Sequence, residues 1–262
     1  MLHNLMLLLN YVAYYDLLLA KVIFARNYSC IIPEIGNNEF TAINSFNIIM
    51  EAELKKLNIE YQRINITIKK KVTAITGSNM GGKTSILKTI GQMAMMAKLG
   101  LPVPASKAIV PLYDNVFYSG AVNYEDNANL SSFGSEVVNL QKIIDTQGYN
   151  LFLLDEFGRG TNPSEGQALF HDVLRFFSIN TNTVIVAATH YSPPCNLINF
   201  THLQMIGFTK DFIDKIESEN VDISSRLQIL SKYMNYQPIE VNENEEIPKT
   251  AYLIAKLLGL KI

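Results

Sequence analysis

A three-layer α/β domain with a mainly parallel sheet is the fold class this sequence predicts, and three apolar runs predict it. Residues 72–76, 151–154 and 183–188 are short and apolar or β-branched enough to be covered on both faces, as strands of a parallel sheet are. Each run ends in small or polar residues: Gly77-Ser78, then Asp155-Glu156, then Thr189-His190. Ligands of open α/β sheets sit at the C-terminal ends of the strands, so these three endings are expected on one edge.

In chain order, residues 1–25 are apolar but interrupted by Asn4, Asn10, Asp16 and Lys21, with no positive leader and no small-residue cleavage site. The expectation is a packed helix whose leucines and aromatics form a core or inter-subunit face, with no membrane. Residues 1–38 then form a helical segment closed by the turn composition Pro33-Glu34-Ile35-Gly36. Residues 51–57 predict a short exposed helix or loop, and Ile64-Asn65-Ile66-Thr67-Ile68 alternates with strand period. Lys69, Lys70 and Lys71 predict a solvated hairpin between two strands. A long, mostly buried helix follows over residues 85–99, with Met93, Met95 and Met96 as core filler. Pro102-Val103-Pro104-Ala105 breaks it. Strands are expected at 108–111 and 115–119, then a polar segment at 123–132 and a helix to Asp145. Residues 39–208 form the α/β domain and 209–262 a helical tail, with an acidic linker at 240–246 that buries little.

Composition narrows the function. The 262 residues are 48% apolar and 18% charged, an ordinary core, and the net charge of −2 offers no basic field for a duplex to bind this domain alone. Cys30 and Cys195 form no close pair, which fits a reduced, cytoplasmic protein.

The chemistry lies at the strand ends. Gly77-Ser78-Asn79-Met80-Gly81-Gly82-Lys83-Thr84 fits G-x-x-x-x-G-K-[ST], a loop whose backbone N–H groups turn inward around phosphate oxygens. Lys83 reaches the β and γ phosphates of a nucleoside triphosphate in such loops, and Thr84 holds Mg²⁺. Asn79 can reach phosphate or ribose, and Ser85 counts with the loop as nucleotide-binding. Asp155 at a buried strand's end supports Mg²⁺, while Glu156 orients or deprotonates the attacking water. His190 is placed to sense the γ phosphate or the lytic water. Tyr61 is open between stacking on the base and ordinary packing. His3, His171 and His202 are given no role.

These residues resemble the ATPase domain of the MutS family, relatives of ABC-type P-loop ATPases. The loop is similar to G-P-N-M-G-G-K-[ST], with Ser78 in place of proline. Asp155-Glu156-Phe157-Gly158-Arg159-Gly160-Thr161 is similar to D-E-[IL]-G-R-G-T, and Ala188-Thr189-His190-Tyr191 extends the match. Leu130-Ser131-Ser132-Phe133-Gly134-Ser135-Glu136 resembles the S-T-F segment, the counterpart of the ABC signature. The resemblance implies a composite site between two ATPase domains packed head to tail, as a homodimer or heterodimer, with Ser131 presented in trans to the γ phosphate. It implies ATP and Mg²⁺ as cofactors, and an ATPase coupled to mismatched-DNA binding in mismatch repair. The alternative is a MutS-like ATPase that remodels or reactivates a protein partner without DNA. Residues 162–166 resemble the branch that lacks mismatch reading, and Thr84-Ser85 inverts the Ser-Thr order of repair members. The mismatch-reading, connector, lever and clamp domains do not fit in 262 residues.

Overall fold

A computed structural model describes residues 2–78, 80–120, 132–158, 161–180, 182–194, 196–207 and 234–241. Its larger sheet has six strands: β4 (Val72–Thr76), β6 (Asn115–Ser119), β7 (Asn150–Asp155), β8 (Thr183–Ala188), β9 (Phe200–Gly207) and β10 (Asn235–Glu240), in the order β10-β9-β4-β8-β7-β6. All neighbours pair parallel except β10, which runs antiparallel to β9. The register sets Ile75 beside Ala188 and Asp155 beside Ala188, so β4, β8 and β7 end level with one another. The three endings expected on one edge therefore lie there.

Strand periodicity divides the core in two. Leu151 and Leu153 of β7 face one cluster, with Val184 and Val186 of β8. Phe152 and Leu154 face the other, with Ile185 and Ala187. On the first face lies helix α3 (Lys83–Lys98), which buries Ile86, Leu87, Ile90, Met93 and Met96 and leaves Met95 exposed. Met95 thus departs from the core-filler expectation. On the second face, α4 (Ser132–Asp145) contributes Ile143, and α5 (Pro163–Asn180) contributes Phe170, Leu174 and Phe177.

A second sheet, unforeseen in the sequence, covers the α3 side. It has the order β1-β5-β2-β3, built from β1 (Glu34–Gly36), β2 (Phe40–Ser45), β3 (Ile64–Ile68) and β5 (Lys107–Pro111). Two expectations are corrected by it. Residues 34–36 are a strand paired parallel with β5 rather than only a turn closing a helical segment. Lys69–71 do not bridge a hairpin, because β3 and β4 belong to different sheets. The short exposed helix forms as α2 (Ile48–Lys56), started by Asn47, whose side chain accepts from the backbone N–H of Ile49 and Met50.

The N-terminal helix α1 (Leu2–Asn27) forms as expected, but none of its residues is buried. It is long and apolar enough to cross a membrane by length and composition alone. Its residues 2–20 are all exposed, and only its last turns approach the body, where Phe24 packs against the first core cluster. The described part of the expected helical tail is also different. Residues 235–240 are strand β10, paired antiparallel with β9 across a register shift between Asn235 and Pro238.

Candidate functional site

Where β4 turns into α3, the backbone takes conformations that a side chain would not allow. Gly77 has φ +137° and Gly82 has φ +87°, and a Cβ at either would come within 2.8 Å of Met205 or of the Tyr236 ring. The loop closes with the Gly81 N–H donating to Ser78 O at 2.9 Å, and α3 starts at Lys83.

Lys83 is 3% exposed, and its ammonium donates to the carbonyls of Gly77 and Ser78 at 2.8 and 2.9 Å. Glu156 lies 3.9 Å away and is itself 8% exposed. The buried ammonium is thus satisfied by loop carbonyls, with a carboxylate nearby at the strand edge. Glu156 stands at φ +55°, unusual for a residue with a side chain, and its N–H donates to Ala188 O at 2.9 Å. That conformation costs roughly 1–3 kcal/mol, and it turns the side chain's backbone out of the strand direction directly after Asp155.

Asp155 is the meeting point of three elements. Thr84 Oγ1 of α3 donates to Asp155 Oδ2 at 2.8 Å, and the Tyr118 hydroxyl of β6 donates to the same oxygen at 2.9 Å. Asp155 Oδ1 is buried with no hydrogen-bond partner among the described residues. An orphaned carboxylate oxygen beside a threonine hydroxyl is an all-oxygen donor set of the kind Mg²⁺ and its water shell take, so these residues fit that ion. Ser78 Oγ is likewise buried and unpartnered among the described residues.

His190 follows β8, exposed, with its ring 4.4 Å from that of Tyr191. The loop carrying it is tied to the sheet by the Thr189 N–H donating to Ile75 O and the Tyr191 N–H donating to Thr189 Oγ1. Lys83, Thr84, Asp155 and Glu156 are thus in contact, and His190 stands on the same edge. Asn79 and Ser131 lie outside the described residues, as do Arg159 and Gly160.

A cavity of about 340 Å³ opens beside the loop. Gly82, Lys83, Thr84 and Ser85 line one side; Met50, Leu54, Ile59, Tyr61 and Tyr236 line another. Tyr61 both lines this cavity and packs, its hydroxyl accepting from the Asn47 N–H at 3.2 Å. Burial raises the pKa of Tyr236, so its phenol stays neutral.

Four residues gained significance only in the folded chain. Tyr118 and Tyr236 are two of them. His202, which the sequence left without a role, is buried on β9 and its Nε2 lies 2.7 Å from Thr76 Oγ1, one residue before the loop. Burial lowers its pKa, so the imidazole is neutral. Glu136 of α4 accepts from the Gly158 N–H at 2.9 Å, and Phe133 and Phe157 set their rings 6.3 Å apart, joining α4 to the turn after Glu156. Only Glu136 carried any sequence signal, through the motif that contains it.

Residues 73–256 match the family model described as MutS domain V. The chain is 35% identical over 181 residues to Endonuclease MutS2 of Clostridium botulinum strain Langeland, an overlap that takes in 68% of this chain and 22% of the relative. Endonuclease MutS2 of Clostridium novyi is 35% identical over 180 residues, with the same coverage. That of Maridesulfovibrio salexigens is 32% identical over 183 residues, covering 68% of this chain and 23% of the relative. The chain therefore spans about a fifth of the length of these curated relatives.

Proposed function

Because the chain belongs to the MutS family through its match to domain V, we propose that it is a P-loop ATPase that hydrolyses ATP with Mg²⁺ at a composite dimer interface. The observation that carries this reading is the contact between Thr84 and Asp155 with Lys83 and Glu156 beside it. A basic group, an ion-binding pair and a carboxylate then share one strand edge.

In this reading the loop 77–84 receives the phosphates with its backbone N–H groups and the N-terminal end of α3. Lys83 exchanges its bonds to the Gly77 and Ser78 carbonyls for phosphate oxygens. Thr84 and Asp155 hold Mg²⁺, which neutralises charge that builds on the phosphates. Glu156 takes the proton of the attacking water as the bond to the γ phosphorus breaks, giving ADP and phosphate. His190 hydrogen-bonds to the γ phosphate or that water, and Tyr61 and Tyr236 flank the base in the adjoining cavity. Asn79 and Ser85 complete the nucleotide contacts, and Ser131 comes from the partner domain. A hydroxyl that arrives only on closure makes ATP the bond between subunits, and hydrolysis releases it.

The client in this proposal is mismatched DNA, through the repair association of the family. The relatives' name, endonuclease, describes those proteins, and no nuclease step is proposed for this chain. A protein client without DNA is the second reading, favoured by the net charge of −2. Steady-state ATP hydrolysis by the chain, with and without mismatched duplex, separates the two: stimulation that weakens as salt rises supports DNA, and indifference supports a protein. Glu156→Gln is expected to lower kcat about 10²–10⁴-fold while retaining ATP and a sedimenting dimer. A hydrolysis rate equal to the parent's removes Glu156 from the reaction.

A further inference from the structure

β6 is the edge strand of the large sheet and pairs with β7, the strand that ends in Asp155. The register sets Tyr118 beside Leu153, two residues short of Asp155. Two strand residues rise about 6.6 Å, close to the span of a tyrosine side chain, so the phenol lies along the sheet and its hydroxyl arrives at the carboxylate. The contact is 2.9 Å to Oδ2, the oxygen that also receives the Thr84 hydroxyl at 2.8 Å. The other oxygen, Oδ1, is buried with no partner among the described residues. Two donors on one oxygen, one from α3 and one from β6, fix the rotation of the carboxyl group and reserve its second oxygen.

We infer that Tyr118 is a positioning residue for the metal carboxylate: its hydroxyl locks Asp155 in the orientation that presents Oδ1 to the hydration shell of Mg²⁺. This rests on the reading of Thr84 and Asp155 as the ion's holders. A threonine hydroxyl that turns its lone pairs to an ion keeps its proton on Asp155, so both donors serve at once. A tyrosine does this differently from a threonine, because its rigid ring is seated on the sheet and its hydroxyl has a single position to occupy. Replacing Tyr118 with Phe deletes one oxygen from a side chain that is 40% exposed and leaves the ring in place.

The test is Mn²⁺ binding by the chain with ADP, followed by electron paramagnetic resonance, next to ADP binding in the presence of a chelator. For Tyr118→Phe the Mn²⁺ dissociation constant is expected to rise about tenfold, with metal-free ADP binding unchanged. In an Asp155→Ala background the same substitution is expected to change neither quantity. Equal Mn²⁺ affinity in Tyr118→Phe and the parent overturns the inference while the parent's metal binding leaves the site reading standing. An equal loss of metal-free ADP binding, or the same effect with and without Asp155, makes the role merely structural and also overturns it. A parent chain that binds no Mn²⁺ with ADP removes both the inference and the reading beneath it.

Discussion

Glu156 and His202 show how a single residue's environment sets its conditions of work. His202 is buried against Thr76, and burial lowers its pKa from 6.5. The unfolded chain takes up this proton near 6.5 and the folded chain only at lower pH, so below 6.5 the unfolded state binds more protons. Stability contributed by the neutral imidazole is therefore complete above that value and declines as pH falls through the window beneath it. Thermal melting followed from pH 7.5 downward is expected to show this slope, and His202→Gln to flatten it. Glu156 was easier to read: it follows a strand and an aspartate in sequence, as Lys83 and Thr84 follow glycines. Tyr118, His202 and Tyr236 were not legible, because each acquires its neighbour through sheet register or from a distant strand. No local pattern marks a histidine that will meet Thr76 across 126 positions.

Among elements, the strands with period two or with continuous apolar runs were legible almost to the residue, as β3, β4 and β8 are. Their assignment to sheets was not. β3 and β4 are separated by three lysines, yet one joins the small sheet and the other the large one, since pairing is decided by non-local partners. β10 is the clearest case. It lies in the segment expected as a helical tail and runs into the acidic linker expected at 240–246, but it pairs with β9, and the Gln237 side chain bonds to both Asn65 N and Arg63 O next to β3. This strand brings Tyr236 over Gly82 and into the cavity wall. With Tyr236 flanking the base, Tyr236→Ala is expected to raise the ATP dissociation constant about tenfold, with kcat at saturating ATP little changed. Equilibrium titration with a fluorescent ATP analogue reads the first and steady-state turnover the second.

The whole molecule divides into a body held by two cores and a helix that meets the first of them through Phe24 near its end. Residues 2–20 are exposed throughout, and none of them joins either core of the body. Deleting residues 2–20 is expected to leave its melting temperature within about 2 °C of the parent, whereas Phe177→Ala in the α5 core is expected to cost about 3–5 kcal/mol. Calorimetry of the two variants checks both. The order of the chain adds something else. Lys83, its loop and the wall residues Met50, Leu54, Ile59 and Tyr61 all belong to the first third of the sequence, while Tyr236 of the same wall comes far later. At translation rates of ~5–20 residues per second, roughly eight to thirty seconds separate Lys83 and Tyr236 leaving the ribosome. Most of the cavity wall thus leaves the ribosome ahead of the loop, and the ring of Tyr236 arrives late. A message cut short before codon 236 yields a protein whose cavity lacks that ring.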